Sequence, residues 1–152
     1  MKAFSLIELL LAIVIVAIVL LIIQPSWQGM LSKNHAQAYT SELVMALQFA
    51  RSTAISLGKP VTFYCGKDNQ WRVGTPNVLR VLPPVFTGDT LIWNRDAIIT
   101  FSPDGFAGGQ NRSFYYCPKN SSKNALAVIL SPSGRTRVSP KTHDGKTIPC
   151  NF

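Results

Sequence analysis

The run from Phe4 to Ile23, FSLIELLLAIVIVAIVLLII, constrains this chain more than any other stretch. It is twenty residues long, carries one charge, Glu8, and contains neither Gly nor Pro. Wound as a helix at about 1.5 Å per residue, it reaches about 30 Å, the depth of a bilayer's hydrocarbon core. A chain of 152 residues with so much length in one apolar rod has room for a single further domain. The rod also explains part of an odd composition, in which 47% of residues are hydrophobic and only 14% charged although the formal balance is +8. That apolar content excludes a disordered chain, and the length excludes a large multidomain enzyme.

A plain signal anchor is the simplest reading of such a run. A cleaved secretory signal fits poorly, because the basic leader is Met1-Lys2 alone and Gln24-Pro25-Ser26-Trp27 lacks the small-residue pattern of a cleavage site. Glu8 argues against the plain anchor as well. A carboxylate in an apolar span is costly unless it is paired, and such groups are usually functional. The segment Lys2-Ala3-Phe4-Ser5-Leu6-Ile7-Glu8 resembles the processing motif of type IV pilins and type II secretion pseudopilins. In that family a very short basic leader is cut just before a Phe, and the fifth residue after the cut is a Glu. The resemblance implies cleavage between Ala3 and Phe4 by a prepilin peptidase and methylation of the new amino group on Phe4. It also implies that Glu8 pairs with the terminal amine of a neighbouring pilin in the filament. Ala3 stands where the family usually has Gly, so the small residue at the cut is kept.

Pro25 is expected to kink or loosen the helix, which Trp27 to Leu57 can continue. Tyr39, Leu43, Ala46, Leu47, Ala50, Ala54 and Leu57 recur at spacings of three and four and make one apolar face. Gly58-Lys59-Pro60 is a stop signal. Beyond it the period becomes that of strands. Candidates are Val61 to Cys65, Gln70 to Gly74, Leu79 to Leu82, Thr90 to Trp93, Ile98 to Phe101, Ser113 to Cys117, Ala125 to Leu130 and Arg135 to Ser139, with Gly, Pro, Asn and Asp between them. Phe101-Ser-Pro-Asp-Gly105 and Leu130-Ser-Pro-Ser-Gly134 echo one another as turns, and Pro83-Pro84 reads as a loop. The expected fold class is therefore α+β, a long N-terminal helix packed on antiparallel sheet, which is also the type IV pilin fold that the resemblance implies. The domains expected are a leader at 1–3, a membrane and filament-core helix at 4–27, and a globular domain at 28–152 with a basic part at 108–152.

Of the three cysteines, a domain outside the inner membrane would oxidise two, and three pairings are open. Cys117 with Cys150 is preferred because it ties a loose tail to a strand, stabilising by roughly 3 to 4 kcal/mol. Cys65, in an apolar strand, is expected to be a buried free thiol. Catalytic and metal motifs are absent from the sequence, including CxxC, HExxH, G-x-S-x-G and the phosphate-binding glycine loops. His35 and His143 read as surface residues, and Asp68, Asp89, Asp96, Asp104 and Asp144 as turn residues. The chain is not expected to be an enzyme or to need a cofactor or metal.

The positive charge is not spread evenly. From Gly108 to Phe152 the chain carries Arg112, Lys119, Lys123, Arg135, Arg137, Lys141 and Lys146 against Asp144 alone, whereas Phe4 to Ala107 is nearly balanced. A surface that is merely solubilised would explain such a run equally well. Gly134-Arg135-Thr136-Arg137 sharpens it, because two arginines at i and i+2 point to one side of a strand about 7 Å apart, the spacing of successive phosphates. The planar guanidinium fork suits phosphate. This part resembles the FimT/GspH subgroup of minor pilins, in which a G-R-x-R element lies between a strand Cys and a terminal Cys. FimT members are associated with binding DNA during natural transformation. The resemblance carries Arg135 and Arg137 over as DNA-binding residues. Lys141, Lys146, Lys119, Lys123 and Arg112 join by charge and proximity. Phe114, Tyr115 and Tyr116 could offer a ring for base stacking, although strand alternation puts at least two of them in the core. The expected partners are DNA of any sequence, other pilins, the prepilin peptidase and the inner membrane before assembly. The rival reading is a structural pilin or secretion pseudopilin that primes or caps a filament.

Overall fold

The computed structural model describes residues 5–94, 98–109, 111–119 and 122–150, without the side chains of 21–26 and 28. Ala3 and Phe4, at the expected leader cut, lie outside the described residues. Helix α1, Leu6–Leu57, starts after Ser5 and ends at Gly58, whose φ of 61° is the left-handed cap that Gly adopts at least cost. Pro25 lies inside α1 and does not end it. The exposed side chains from Leu6 to Leu20 form an apolar rod free of other parts of the domain. Among the described residues no helix is long and apolar enough to cross a membrane. Of the expected span, Phe4 to Ile23, Phe4 lies outside the described residues and the side chains of 21–23 are not described.

The second half of α1 is amphipathic. Tyr39, Leu43, Ala46, Leu47, Ala50 and Ala54 are 3% exposed or less, and the alanines among them let the helix backbone approach the sheets closely. Leu57 departs from the expected face: it is exposed, because it sits in the last turn where the chain leaves the sheets at Gly58.

Among the described residues eight strands follow: β1 Val61–Cys65, β2 Trp71–Thr75, β3 Asn77–Val81, β4 Thr90–Trp93, β5 Ile98–Phe101, β6 Arg112–Cys117, β7 Leu126–Leu130 and β8 Thr136–Ser139. They make two antiparallel sheets, ordered β3-β2-β1-β5 and β4-β6-β7-β8. α1 covers the inner faces of both. Between the sheets an aromatic cluster closes the core: Phe63 stacks on Trp71 with centroids 4.8 Å apart, and Phe114 meets both edge-on at 6.0 and 5.2 Å. The outer face of the second sheet carries a smaller cluster of Tyr115, Cys117, Ala125, Ala127, Ile129 and Ile148. The tail is fastened over it by the Cys117–Cys150 disulfide, the preferred pairing. Cys65 is a free thiol but only half-buried, near the end of β1, with Sγ 3.7 Å from the Gly66 carbonyl oxygen.

Candidate nucleic-acid interface

The arginines of the G-R-x-R element are set by a turn. Gly134 N–H donates to the Ser131 carbonyl at 2.9 Å, and Ser131 N–H donates to the Arg135 carbonyl at 2.9 Å. Gly134, at φ 75°, supplies the left-handed residue that closes such a turn. The echo seen in the sequence is real geometry: Gly105 N–H donates to Ser102 O at 2.8 Å and Ser102 N–H to Phe106 O at 2.9 Å, with Gly105 at φ 77°. The two turns also touch. Ala107 N–H donates to the Pro132 carbonyl at 2.8 Å, and Arg51 Nη1 of α1 donates to the Gly134 carbonyl at 3.2 Å. Arg135 therefore leaves a turn braced by α1 and by the loop after β5.

β8 is an edge strand. Thr136 lies opposite Leu130 and Arg137 opposite Ile129. Leu130 belongs to the main core and Ile129 to the outer cluster, so Arg137 stands on the outer side of the sheet. Arg135 and Arg137 are both exposed and line one groove with Asn111, Ile129, Ser131, Thr136 and His143. His143 Nε2 lies 3.0 Å from Asp144 Oδ1. A groove with two guanidinium groups, a ring nitrogen and hydroxyls can bind an anion with several oxygens.

The family described as type II transport protein GspH matches residues 40–134, more than half of the sequence. The chain belongs to the GspH family. Two crystal structures of the type IV minor pilin FimU from Pseudomonas aeruginosa strain PAO1 share its fold. The one in space group P21 has a TM-score of 0.63 at 22% identity and covers 70% of this chain and 90% of that one. The one in space group P65 has a TM-score of 0.59 at 23% identity, covering 68% and 92%. No curated protein matches the sequence. Pilin and pseudopilin families are structural, non-enzymatic proteins, anchored in a membrane before they join a filament. The GspH match ends at Gly134, so Arg135, Arg137 and the tail lie beyond it.

Within this GspH-family fold the other expected cations divide. Lys141 and Lys146 are exposed on the tail, and Arg112, half-buried, begins β6 opposite Leu130, at the same strand end as Thr136. Lys119 and Lys123 lie elsewhere. Lys119 N–H donates to Asp89 Oδ1 at 2.9 Å, and Lys123 sits in the 3-10 turn Ser122–Asn124, where Asn124 Nδ2 donates to the Gly29 carbonyl at 3.0 Å. Gly29 and Arg51 are separated by about 33 Å of α1, so Lys123 and the Gly134 turn occupy opposite ends of the domain. The stacking suggestion is corrected: Phe114, Tyr115 and Tyr116 are 2%, 8% and 0% exposed, since both faces of β6 are covered, one by α1 and one by the tail. Glu8 is exposed in the first turn of α1.

The turn at Asp89 is present, but the surface reading of His35 is corrected. Asp89 ends a turn, but its carboxylate is 7% exposed and accepts from Tyr116 Oη at 2.5 Å as well as from Lys119 N–H, while His35 Nδ1 stands 3.4 Å away. His35 is half-buried and stacks on Phe86 at 4.1 Å. This cluster fastens α1 to β6 and to the loop before β4. Burial and the Asp89 bond push the Tyr116 phenol up. Burial pushes Tyr39 up to about 12, and it also raises the Cys65 thiol. At the surface, the Arg72 guanidinium beside Asp68 lowers that carboxyl.

Proposed function

We propose that this chain is a minor type IV pilin that holds DNA by its phosphates, independently of sequence, for uptake in natural transformation. The observation that carries the reading is the pair Arg135 and Arg137, both exposed, one at the end of the turn before β8 and one on that edge strand, lining one groove. Among the described residues no element suited to reading base edges stands beside them, and none is needed for phosphate binding. Affinity per subunit is then modest, strongly salt-dependent, and raised by multiple contacts along a filament. The leader is cut after Ala3, Phe4 is methylated, residues 4–27 store the subunit in the inner membrane, and Glu8 pairs with a neighbour's terminal amine on assembly. The test is a titration of the purified full chain in detergent with labelled DNA duplexes of unrelated sequence. Tight binding at low salt that weakens steeply with added salt supports the reading. Absence of binding at low salt overturns it.

A purely structural role, priming or capping a pilus or secretion pseudopilus, is favoured by one specific observation. Gly134 is required by the packing of the turn, so part of the G-R-x-R pattern exists without any ligand.

A further inference from the structure

The groove beside β8 has a second side that comes from the tail. We infer that the tail forms the second wall of the anion site and that the Cys117–Cys150 disulfide positions it, so that His143 contacts the phosphate backbone only in the cross-linked chain. The inference rests on the DNA-binding reading and adds to it a residue that the basic pattern did not include.

After β8 the chain makes no further strand among the described residues. The hydrogen bonds of the described tail stay within it and its junction with β8: Lys141 N–H to Ser139 Oγ at 3.1 Å, Thr142 N–H to Lys146 O at 2.9 Å, Gly145 N–H to Thr142 O at 3.0 Å, and Cys150 N–H to Ile148 O at 3.0 Å. One described tail side chain between Pro140 and Pro149, Ile148, is buried. Ordering about ten residues costs more than one buried side chain returns. Among the described residues the covalent hold on the tail is the disulfide. Cys117 is 1% exposed and belongs to the same outer cluster as Ile129 and Ile148.

That cluster borders the groove, because Ile129 lines it and lies opposite Arg137. Seating the tail on the cluster is therefore what brings His143 beside Arg135 and Arg137. Among the described residues, the two guanidinium groups line the groove with His143, and the Asp144 carboxylate fixes its ring from the side of Nε2. An anion entering the groove meets cations on one wall and an imidazole on the other.

A double-mutant cycle tests this with the full chain in detergent and a short labelled DNA duplex at low salt. In the cross-linked chain, His143→Ala weakens binding about tenfold or more, the worth of one hydrogen bond to a charged group. The Cys117→Ser/Cys150→Ser chain is already weaker by at least that factor, and adding His143→Ala to it changes nothing. An equal His143 loss in both backgrounds overturns the inference, as does no loss in the cross-linked chain. A merely destabilised domain would keep the His143 increment. If the serine pair fails to fold, the native chain with its disulfide reduced and both thiols alkylated makes the same comparison. Arg135→Ala/Arg137→Ala separates the two claims: if that variant loses affinity while the cycle is additive, only the inference about the tail fails. If the arginine variant binds as the parent does, the DNA reading itself fails.

Discussion

Gly134 lies against the backbone of Gly105 so closely that a Cβ at Gly134 would stand 2.2 Å from the Gly105 carbonyl oxygen. The obstacle is backbone, which cannot swing aside, and Gly134 is also held at a φ of 75° that side chains rarely adopt. Both effects act on the turn joining β7 to β8, where it meets the loop after β5. Gly134→Ala is expected to destabilise the domain by about 3 kcal/mol, combining a left-handed alanine of about 1 to 2 kcal/mol with displacement of the neighbouring turn. Thermal unfolding followed by near-ultraviolet circular dichroism checks it, and a melting temperature unchanged within error would refute the packing argument.

The same turn geometry occurs with a residue other than glycine at Gly66–Gln70. Asn69 N–H donates to Gly66 O at 3.0 Å, Gly66 N–H donates to Gln70 O at 2.8 Å, and Asn69 has φ 59°. Asn tolerates this region better than other side chains. Asn69→Ala should therefore cost about 1 kcal/mol, whereas Asn69→Gly should stay within about 0.5 kcal/mol of the parent. Equal losses for both would show that the side chain, not the backbone angle, matters at this position.

These turns also mark where sequence reading succeeds and stops. Strands β1, β4 and β5 were legible residue for residue, because alternation of apolar side chains and flanking Gly, Pro or Asp are local signals. The pair of Ser-Pro-x-Gly turns was visible through its repeated letters. Gly66–Gln70 and Thr142–Lys146 share the geometry but not the letters, and only Asp68 and Asp144 mark them in the sequence as turns. Arg135 was expected in β8 and instead closes the turn before it, with its carbonyl bonded to Ser131. Asp89 was read as a turn residue because its partners are distant in sequence: Tyr116 lies 27 residues away, and His35 comes from α1. His143 lines the groove with Arg135 and Arg137, and no local signal in the sequence announces that meeting.

The seven cations proposed from composition are not expected to act as one site. Arg135 and Arg137 share a groove, while Lys123 lies at the far end of the domain near Gly29. Arg135→Ala/Arg137→Ala should weaken DNA binding about tenfold or more, alike for all sequences, and flatten the dependence on log salt by about two charges. Lys119→Ala/Lys123→Ala should change affinity by about twofold or less. Fluorescence polarisation across a salt series distinguishes them, and equal losses for both pairs would mean that binding follows net charge alone.

The buried tyrosines give the domain an alkaline limit. Burial raises Tyr39 to about 12, with the nearby Cys65 and Glu42 adding to it, and Tyr116 is raised in the same direction. An unfolded tyrosine ionises near 10, so between about pH 10 and 12 the unfolded chain has lost protons that the folded chain keeps. Stability from these groups is thus fully present below pH 10 and falls as pH rises towards 12. For Tyr39, 3% exposed, the loss is about 2 to 3 kcal/mol. Melting temperatures should drop from pH 8 to pH 11 more steeply in the parent than in Tyr39→Phe, which has no phenol at this position to ionise. Parallel slopes for the two chains would show that Tyr39 is not the group responsible.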